Sequence, residues 1–240
     1  MAELTGRTAL VTGASRGIGK AIAVSLARAG AKLVLVARSR DDLKRAAEEC
    51  KKSGAPATDL QVVDLADVAA VDALCQYVLD EHGGIDVLVN NAGRLVRGNA
   101  LGGEPDDWNE GLLLNVGVPM RLTRRLAPKM VEREYGVIIN IGSVAAVEGM
   151  TDSGAYAATK HALRGWSLSC YLKLRDAGVK VMLINPGFVD TAMTARLVEA
   201  DRSKMLSVDD IAQAAMLAVT TSAACCPEEI TLRLTRRPMG

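Results

Sequence analysis

Short β-branched and apolar runs alternate with segments of helical apolar spacing from one end of the chain to the other. The runs predict seven strands, at Thr8–Thr12, Lys32–Ala37, Leu60–Val63, Val87–Asn90, Val137–Ile141, Val179–Asn185 and Glu229–Leu234. The segments between them predict helices over 17–29, 40–52, 67–82, 106–133, 154–176 and 208–222. Because strands that alternate with helices form βαβ units, we expect an α/β protein, with a doubly wound parallel sheet covered by helices on both faces.

The length of the chain and its charge balance narrow the classes of function. The 240 residues contain no Pro/Gly/Ser-rich linker and no internal repeat, so we expect one domain over 1–240. Lys plus Arg (29) nearly equals Asp plus Glu (28), so no global field attracts nucleic acid or an anionic membrane. Small-molecule chemistry in a soluble protein is the expected kind of function.

The cysteine pattern is typical of a reducing compartment. The five cysteines are odd in number and lack Cys-x-x-Cys spacing, so neither a disulfide framework nor a metal site is predicted, and a cytoplasmic location is expected. They are Cys50, Cys75, Cys170, Cys225 and Cys226. The adjacent pair at 225 and 226 has two interpretations, a redox-sensitive pair or two small half-buried residues, and the second is the commoner case.

A glycine-rich turn follows the first predicted strand and opens the first predicted helix. Its glycines permit a tight turn and a close approach of the backbone to a pyrophosphate, and the helix start adds free N–H groups and its positive dipole end. The residues of this turn predicted to bind a dinucleotide are Gly13, Ser15, Arg16, Gly17, Ile18 and Gly19. The spacing is G-x-x-x-G-x-G, which differs from the commoner G-x-G-x-x-G.

The end of the second predicted strand indicates which dinucleotide is bound. Cofactors without a 2′-phosphate are usually held there by an Asp or Glu, whereas this strand ends in Ala37 and Arg38. Arg38 is placed to pair with a 2′-phosphate, and Arg16 in the glycine turn offers a second guanidinium. Two solvated surface arginines are the alternative. With the acid absent, we expect NADP(H) to be preferred over NAD(H).

Tyr156 and Lys160 lie at i and i+4 of a predicted helix, so their side chains share one face. A cation about 5 Å from a phenol, at an effective dielectric near 20, contributes about 3 kcal/mol, or some two pKa units. Lys160 is therefore expected to lower the pKa of Tyr156 toward the range of general acid/base work. Ser143 follows the Val137–Ile141 strand at the carboxyl end, where ligands of open parallel sheets bind, and its hydroxyl could orient a substrate carbonyl.

Taken in order, these motifs resemble the short-chain dehydrogenase/reductase family from the first strand to the last. The matching residues are the TGxxxGxG turn (Thr12, Gly13, Gly17, Gly19), Asp64 and Leu65 after the third strand, NNAG (Asn90, Asn91, Ala92, Gly93), Asn115, Ser143, YxxxK (Tyr156, Lys160) and PG (Pro186, Gly187). The resemblance implies a Rossmann fold with strand order 3-2-1-4-5-6-7. It also implies NADP(H)-dependent hydride transfer between a nicotinamide and a carbonyl or alcohol, as in the carbonyl reductases.

The resemblance also implies a role for each matching residue. Tyr156 would be the acid/base, Lys160 would lower its pKa and bind the nicotinamide ribose, Ser143 would polarise the carbonyl, and Asn115 would hold a water of a proton relay. The implied cofactor contacts outside the glycine turn are Arg38, Asp64, Leu65, Asn91, Ala92, Gly93, Tyr156, Lys160, Pro186, Gly187, Val189 and Thr191. Asp64 resembles the adenine-binding acid, and the residues from Pro186 to Thr191 resemble the segment that clasps the nicotinamide carboxamide.

Two further functions remain open beside a carbonyl reductase or alcohol dehydrogenase. One is a 3-ketoacyl-thioester reductase, for which the basic residues Arg121, Arg124, Arg125 and Lys129 could dock an acidic carrier protein. A solvated or oligomer-contacting face is the ordinary interpretation of that stretch. The other is an NADP(H)-binding redox sensor, which would not need Tyr156. A short lid over the substrate is expected at 191–207, and the family resemblance implies a homodimer or homotetramer.

Overall fold

Seven parallel strands form one sheet in the computed structural model, which describes residues 4–195, 201–236 and 238. The strands are β1 (Thr8–Thr12), β2 (Lys32–Ala37), β3 (Thr58–Val62), β4 (Val87–Asn90), β5 (Gly136–Ile141), β6 (Val179–Pro186) and β7 (Glu229–Leu232). Their order across the sheet is β3-β2-β1-β4-β5-β6-β7, which confirms the predicted fold class and strand order. The main differences from the predicted bounds are an earlier start of β3 and an earlier end of β7.

Seven α-helices connect the strands in the described part of the chain. They are α1 (Gly17–Arg28), α2 (Arg40–Lys52), α3 (Val68–His82), α4 (Pro105–Leu112), α5 (Val118–Glu132), α6 (Gly154–Leu174) and α7 (Val208–Thr220). The helix predicted over 106–133 is present, but a π-helical turn at Leu113–Gly117 divides it into α4 and α5. Such π turns occur frequently at functional sites, and this one contains Asn115.

The sheet is buried on both faces, and its residues divide between two apolar clusters. Val11 and Leu35 point toward α1, α2 and α7, whereas Leu10 and Val34 point toward α3, α5 and α6. All four are fully buried. Because successive side chains of a strand point to opposite faces, strands that are apolar at nearly every position need a helical layer on each side.

The basic residues of α5 largely find partners within the chain. Arg121 pairs with Asp72 of α3 at 2.8 Å, Arg125 donates to Gln76 Oε1 at 3.4 Å, and Lys129 pairs with Glu132 at 2.6 Å. The charges of Arg121 and Lys129 are therefore paired with carboxylates, whereas Arg125 contacts a neutral amide.

All five cysteines are free thiols in the structure. Cys50, Cys75 and Cys170 are buried, and burial raises the pKa of each thiol to about 11. Cys225 is exposed and Cys226 is half-buried, with its Sγ 3.4 Å from the carbonyl oxygen of Val181. The three buried thiols are therefore protonated and unreactive at neutral pH.

Candidate active site

The turn after β1 requires glycine at two kinds of position. Gly13 and Gly17 have φ angles of +64° and +57°, in the left-handed region that favours glycine. Gly19 has no such angle, but a Cβ there would lie 2.4 Å from both the Gly13 carbonyl oxygen and the Asn91 amide nitrogen. The turn therefore places backbone N–H groups without side chains at the start of α1, an arrangement that binds a pyrophosphate.

Side chains from the ends of β1 and β4 hold this turn in place. Thr12 Oγ1 donates to the carbonyl oxygen of Val89 at 3.1 Å and accepts from the backbone N–H groups of Asn91 and Ala92, both at 3.0 Å. Asn91 Nδ2 donates to the carbonyl oxygens of Thr12 and Gly13, at 2.9 and 3.3 Å. The side chain of Asn91, a residue predicted to bind the cofactor, therefore faces the glycine turn.

The two arginines expected to hold a 2′-phosphate are both exposed to solvent. Arg16 is the residue before α1, and Arg38 directly follows β2. Neither guanidinium has an ion-pair partner among the described residues. Asp64 is also exposed, and its Oδ1 accepts from the backbone N–H of Ala66 at 3.0 Å. Leu65 beside it is buried.

Ser143, Tyr156 and Lys160 meet at the carboxyl end of β5. Ser143 follows β5, whereas Tyr156 and Lys160 project from the first turns of α6. The Ser143 hydroxyl accepts from the backbone N–H of Ala145 at 3.2 Å and lies close enough to the Tyr156 phenol to influence its pKa. Lys160 Nζ lies 5.7 Å from the centre of the Tyr156 ring and donates to the carbonyl oxygen of Ile141 at 2.9 Å. The lysine is buried, and its desolvation lowers its pKa to about 8.

The pKa of Tyr156 differs in direction from the sequence-based expectation. Burial of the phenol raises it, and only the nearby Ser143 hydroxyl, as a hydrogen-bond donor, acts in the lowering direction. The expectation treated Lys160 as a solvated point charge, whereas its ammonium is itself buried and bonded to a carbonyl oxygen. The protein's own groups therefore keep Tyr156 protonated at neutral pH, in the form that a general acid requires.

Asn115 lies beside these three residues within the π-helical turn. Its side chain is buried, accepts from the Arg94 N–H at 2.9 Å, and donates to the Arg94 carbonyl oxygen and to Thr159 Oγ1, both at 3.0 Å. A Cβ on Gly93 would lie 2.9 Å from Asn115 Oδ1 and 3.9 Å from Lys160 Nζ. The NNAG segment is therefore packed directly against the catalytic candidates, and glycine is needed for this contact.

The segment after β6 completes the rim of the site. Gly187 N donates to the carbonyl oxygen of Leu232 at 2.8 Å, and Val189 pairs with Leu206. Thr191 reaches across to the glycine turn, where a Cβ on Gly17 would lie 3.6 Å from its methyl group. The segment after β6 therefore extends from the end of β6 to the start of α1. Of the lid predicted at 191–207, residues 196–200 lie outside the described part of the chain.

Comparison with known proteins identifies the family. The profile of the short chain dehydrogenase family matches residues 7–202. An uncharacterized oxidoreductase of Staphylococcus aureus strain N315 is 34% identical over 233 residues, which cover 97% of this chain and 99% of the relative. A dehydrogenase/reductase SDR family protein 7-like of Anopheles gambiae is 36% identical over 196 residues, 80% of this chain and 62% of that protein.

Two solved structures share the fold closely. A candidate NAD(P)-dependent gluconate 5-dehydrogenase from Beutenbergia cavernae, with NADP bound at low occupancy, has a TM-score of 0.86 and 32% identity over 95% of this chain and 96% of its own. A metagenomic short-chain oxidoreductase in complex with NADP has a TM-score of 0.83 and 36% identity over 98% and 99% of the two chains. The chain belongs to the short-chain dehydrogenase/reductase family and is an oxidoreductase of that family.

No group of three or more potential metal-ligating side chains lies close enough to hold a metal ion within the ranges that the structure covers. In the same ranges, no helix combines the length and apolar character needed to cross a membrane.

Proposed function

We propose that this oxidoreductase transfers hydride between NADP(H) and the carbonyl or alcohol carbon of a small molecule. The observation that carries the proposal is the cluster of Ser143, Tyr156, Lys160 and Asn115 at the carboxyl end of β5, on the same edge of the sheet as the glycine turn after β1. In open parallel sheets, ligands bind at this edge, so cofactor and acid would meet there.

The residues present fit NADP(H) better than NAD(H). Arg16 and Arg38 are exposed and free of ion pairs among the described residues, and no carboxylate stands at the end of β2 to repel a phosphate. Guanidinium groups bind phosphate oxygens through two parallel N–H donors. The two structural neighbours from Beutenbergia cavernae and the metagenome contain NADP, which supports the same preference for this chain.

The protein's part in carbonyl reduction would be orientation and proton transfer. Bound NADPH supplies the hydride for the carbonyl carbon. Ser143 Oγ donates a hydrogen bond that orients the carbonyl oxygen, and Tyr156 Oη gives that oxygen its proton. Lys160 would hold the nicotinamide ribose, and a water held at Asn115 would return a proton to Tyr156 by way of Lys160. In the reverse direction, Tyr156 as tyrosinate would accept the alcohol proton, and oxidised NADP would be the acceptor of the hydride from the alcohol carbon.

The partial pairing of α5 with α3 favours a reductase of free carbonyl compounds over one served by a carrier protein. Arg121 and Arg125, which the docking hypothesis needs, already contact Asp72 and Gln76. A homodimer or homotetramer in the cytoplasm remains our prediction for the assembly and location of the chain.

The test is NADPH consumption with a panel of ketones, aldehydes, quinones and acetoacetyl thioesters, with NADH in parallel. Tyr156→Phe is the variant, and Tyr171→Phe is its matched control, because Tyr171 lies on the same helix and is half-buried. We expect turnover with NADPH that survives in the control and is lost in Tyr156→Phe. Turnover that persists in Tyr156→Phe would contradict the proposed mechanism, and turnover that prefers NADH would contradict the cofactor assignment.

A further inference from the structure

A buried asparagine stands directly behind the catalytic serine candidate. Asn185, near the end of β6, is fully buried, and its Oδ1 accepts from the backbone N–H of Ser143 at 3.3 Å. The preceding Gly142 makes this approach possible, since a Cβ there would lie 2.2 Å from Asn185 Oδ1. The backbone of Ser143 therefore depends on which way the Asn185 amide is turned.

Glu229 determines that orientation. It lies at the start of β7, and its Oε1 accepts from Asn185 Nδ2 at 2.7 Å. An ionised carboxylate only accepts hydrogen bonds, so it selects the amide nitrogen and leaves Oδ1 facing Ser143. The opposite orientation would point an N–H donor at the Ser143 N–H and the amide oxygen at the carboxylate. Both contacts would be unfavourable in a buried site.

Arg164 in turn holds Glu229. Its Nε donates to both carboxylate oxygens, at 2.9 and 3.0 Å, and the hydrogen bond raises the pKa of Arg164. Arg164 lies on α6 about two turns beyond Tyr156. The chain of contacts therefore links the helix that bears the proposed acid to the strand end that bears the serine, by way of β7 and β6.

We propose that Glu229 is a positioning residue for Ser143 and acts through Asn185. The inference rests on the proposed function, because Ser143 matters in this way only if it orients a carbonyl oxygen. Glu229 does not touch the reacting atoms. Its loss would free the amide to rotate and the serine backbone to shift. A misplacement of about 1 Å at reacting groups can slow a reaction by about a hundredfold, so we expect a smaller shift to cost about tenfold.

A purely structural role for Glu229, as a tie between β7 and α6, makes different predictions. In that case, the replacement of Glu229 would lower the stability of the protein without changing the chemistry of the folded enzyme. If Glu229 positions Ser143, the replacement of Glu229 lowers kcat selectively and leaves the KM for NADPH nearly unchanged. The replacement also moves the Ser143 hydroxyl, which lowers the pKa of Tyr156, away from the phenol, so the pKa of Tyr156 rises. The alkaline limb of the pH profile for carbonyl reduction would then move to higher pH.

The experiment compares Glu229→Ala, Glu229→Gln and the control Glu132→Ala, which removes an exposed ion pair with Lys129 on α5. Each is measured for kcat, KM and pH profile with the best carbonyl substrate, and for melting temperature. We expect about a tenfold lower kcat for Glu229→Ala, a shifted alkaline limb, and NADPH KM within about twofold. Glu229→Gln retains an acceptor for Asn185 and should recover most of the activity. The control should match the wild type.

The decisive comparison repeats Glu229→Ala in a Ser143→Ala background. If Glu229 acts through Ser143, its loss has no further effect on the residual kcat there. An equal proportional loss in both backgrounds, or an unshifted alkaline limb, overturns the proposal. If Glu229→Ala does not fold, Glu229→Met takes its place, because it keeps the bulk and lacks the acceptor. Wild type and Tyr156→Phe are run alongside: wild-type turnover that needs Tyr156 but not Glu229 rejects this inference alone, whereas absent wild-type turnover rejects both.

Discussion

Replacing Lys160 by methionine should make the protein more stable while removing its activity. Lys160 is buried, and the cost of placing its ammonium there lowers its pKa from 10.5 to about 8. At 1.36 kcal/mol per unit, that difference corresponds to about 3 kcal/mol of destabilisation at neutral pH. Methionine fills a similar volume without a charge. It leaves the Ile141 carbonyl oxygen without its 2.9 Å donor, at a cost of about 1 kcal/mol.

The net expectation at pH 7 is a gain of about 2 kcal/mol, or a melting temperature about 4–8 °C higher for a chain of this size. The sign of the pH dependence follows from linkage. Because the pKa of Lys160 is depressed in the folded state, the unfolded state binds more protons between about pH 8 and 10.5, and wild-type stability rises with pH there. The advantage of Lys160→Met should therefore shrink by about 1 kcal/mol between pH 7 and pH 9.

The assay is denaturant unfolding of both proteins at pH 7 and pH 9, with Lys173→Met as control because Lys173 is exposed on the same helix. The buried cysteines, whose pKa values are raised to about 11, contribute equally to wild type and variant and cancel in the difference. A Lys160→Met advantage that is absent, or that stays constant from pH 7 to pH 9, would refute the reasoning. Carbonyl turnover by the variant would show that the lysine is dispensable for catalysis.

Three further predictions concern the cofactor, the proton and the glycine turn. Arg38→Ala should raise the KM for NADPH by about ten- to a hundredfold and leave the KM for NADH unchanged. The control Arg28→Ala, at an exposed residue at the far end of α1, should alter neither KM. Equal losses with both cofactors would count against a contact between Arg38 and the 2′-phosphate. Because the pKa of Tyr156 is raised, the rate of carbonyl reduction should be constant at neutral pH and fall at alkaline pH, while the rate of alcohol oxidation rises. A reduction rate that increases with pH would contradict the assignment of Tyr156 as the acid. Thr12→Val removes the acceptor for the Asn91 N–H, so the free energy of unfolding should fall by about 1–3 kcal/mol, and titrations should show weaker NADPH binding. Unchanged stability would show that the Thr12 hydrogen bonds do not hold the glycine turn in place.

The sheet and most of the helices could be predicted because local patterns determine them. Strands buried on both faces are apolar at nearly every position, and turn residues separate them from helices with a different period. The bounds of β3 and β7 were harder to place. Thr58 and Asp59 are polar residues that pair with β2, and Leu234 lies beyond the end of the edge strand. Hydrogen bonding to a neighbouring strand, which is absent from local sequence, decides those ends.

The candidate site was predictable where spacing carries chemistry and unpredictable where distant segments meet. The i,i+4 spacing of Tyr156 and Lys160 and the position of Ser143 after a strand could be read from sequence. The π-helical turn around Asn115 could not, because helix propensity does not distinguish i+4 from i+5 hydrogen bonding. The pKa direction of Tyr156 also required the structure, since burial outweighs the charge that spacing alone brings near.

The contacts between distant segments had no local signal. Asn185 and Glu229 are separated by 44 positions, and their hydrogen bond exists only because β6 and β7 pair in register. Asn91 was assigned to the cofactor by its motif, while its side chain bonds the glycine turn. For Asn91, the NNAG motif marks the neighbourhood correctly, and the tertiary structure decides which partners its side-chain amide binds.

The central claim is that hydride passes between the nicotinamide and a carbonyl carbon at this site. We would measure it directly by giving the enzyme NADPH doubly deuterated at C4 together with the best carbonyl substrate, and by mass spectrometry of the alcohol. The account predicts one deuterium on the carbinol carbon, none there when unlabelled NADPH is used in D₂O, and no labelled alcohol from Tyr156→Phe. Deuterium that is lost to solvent, or a labelled alcohol formed equally well by Tyr156→Phe, would contradict it.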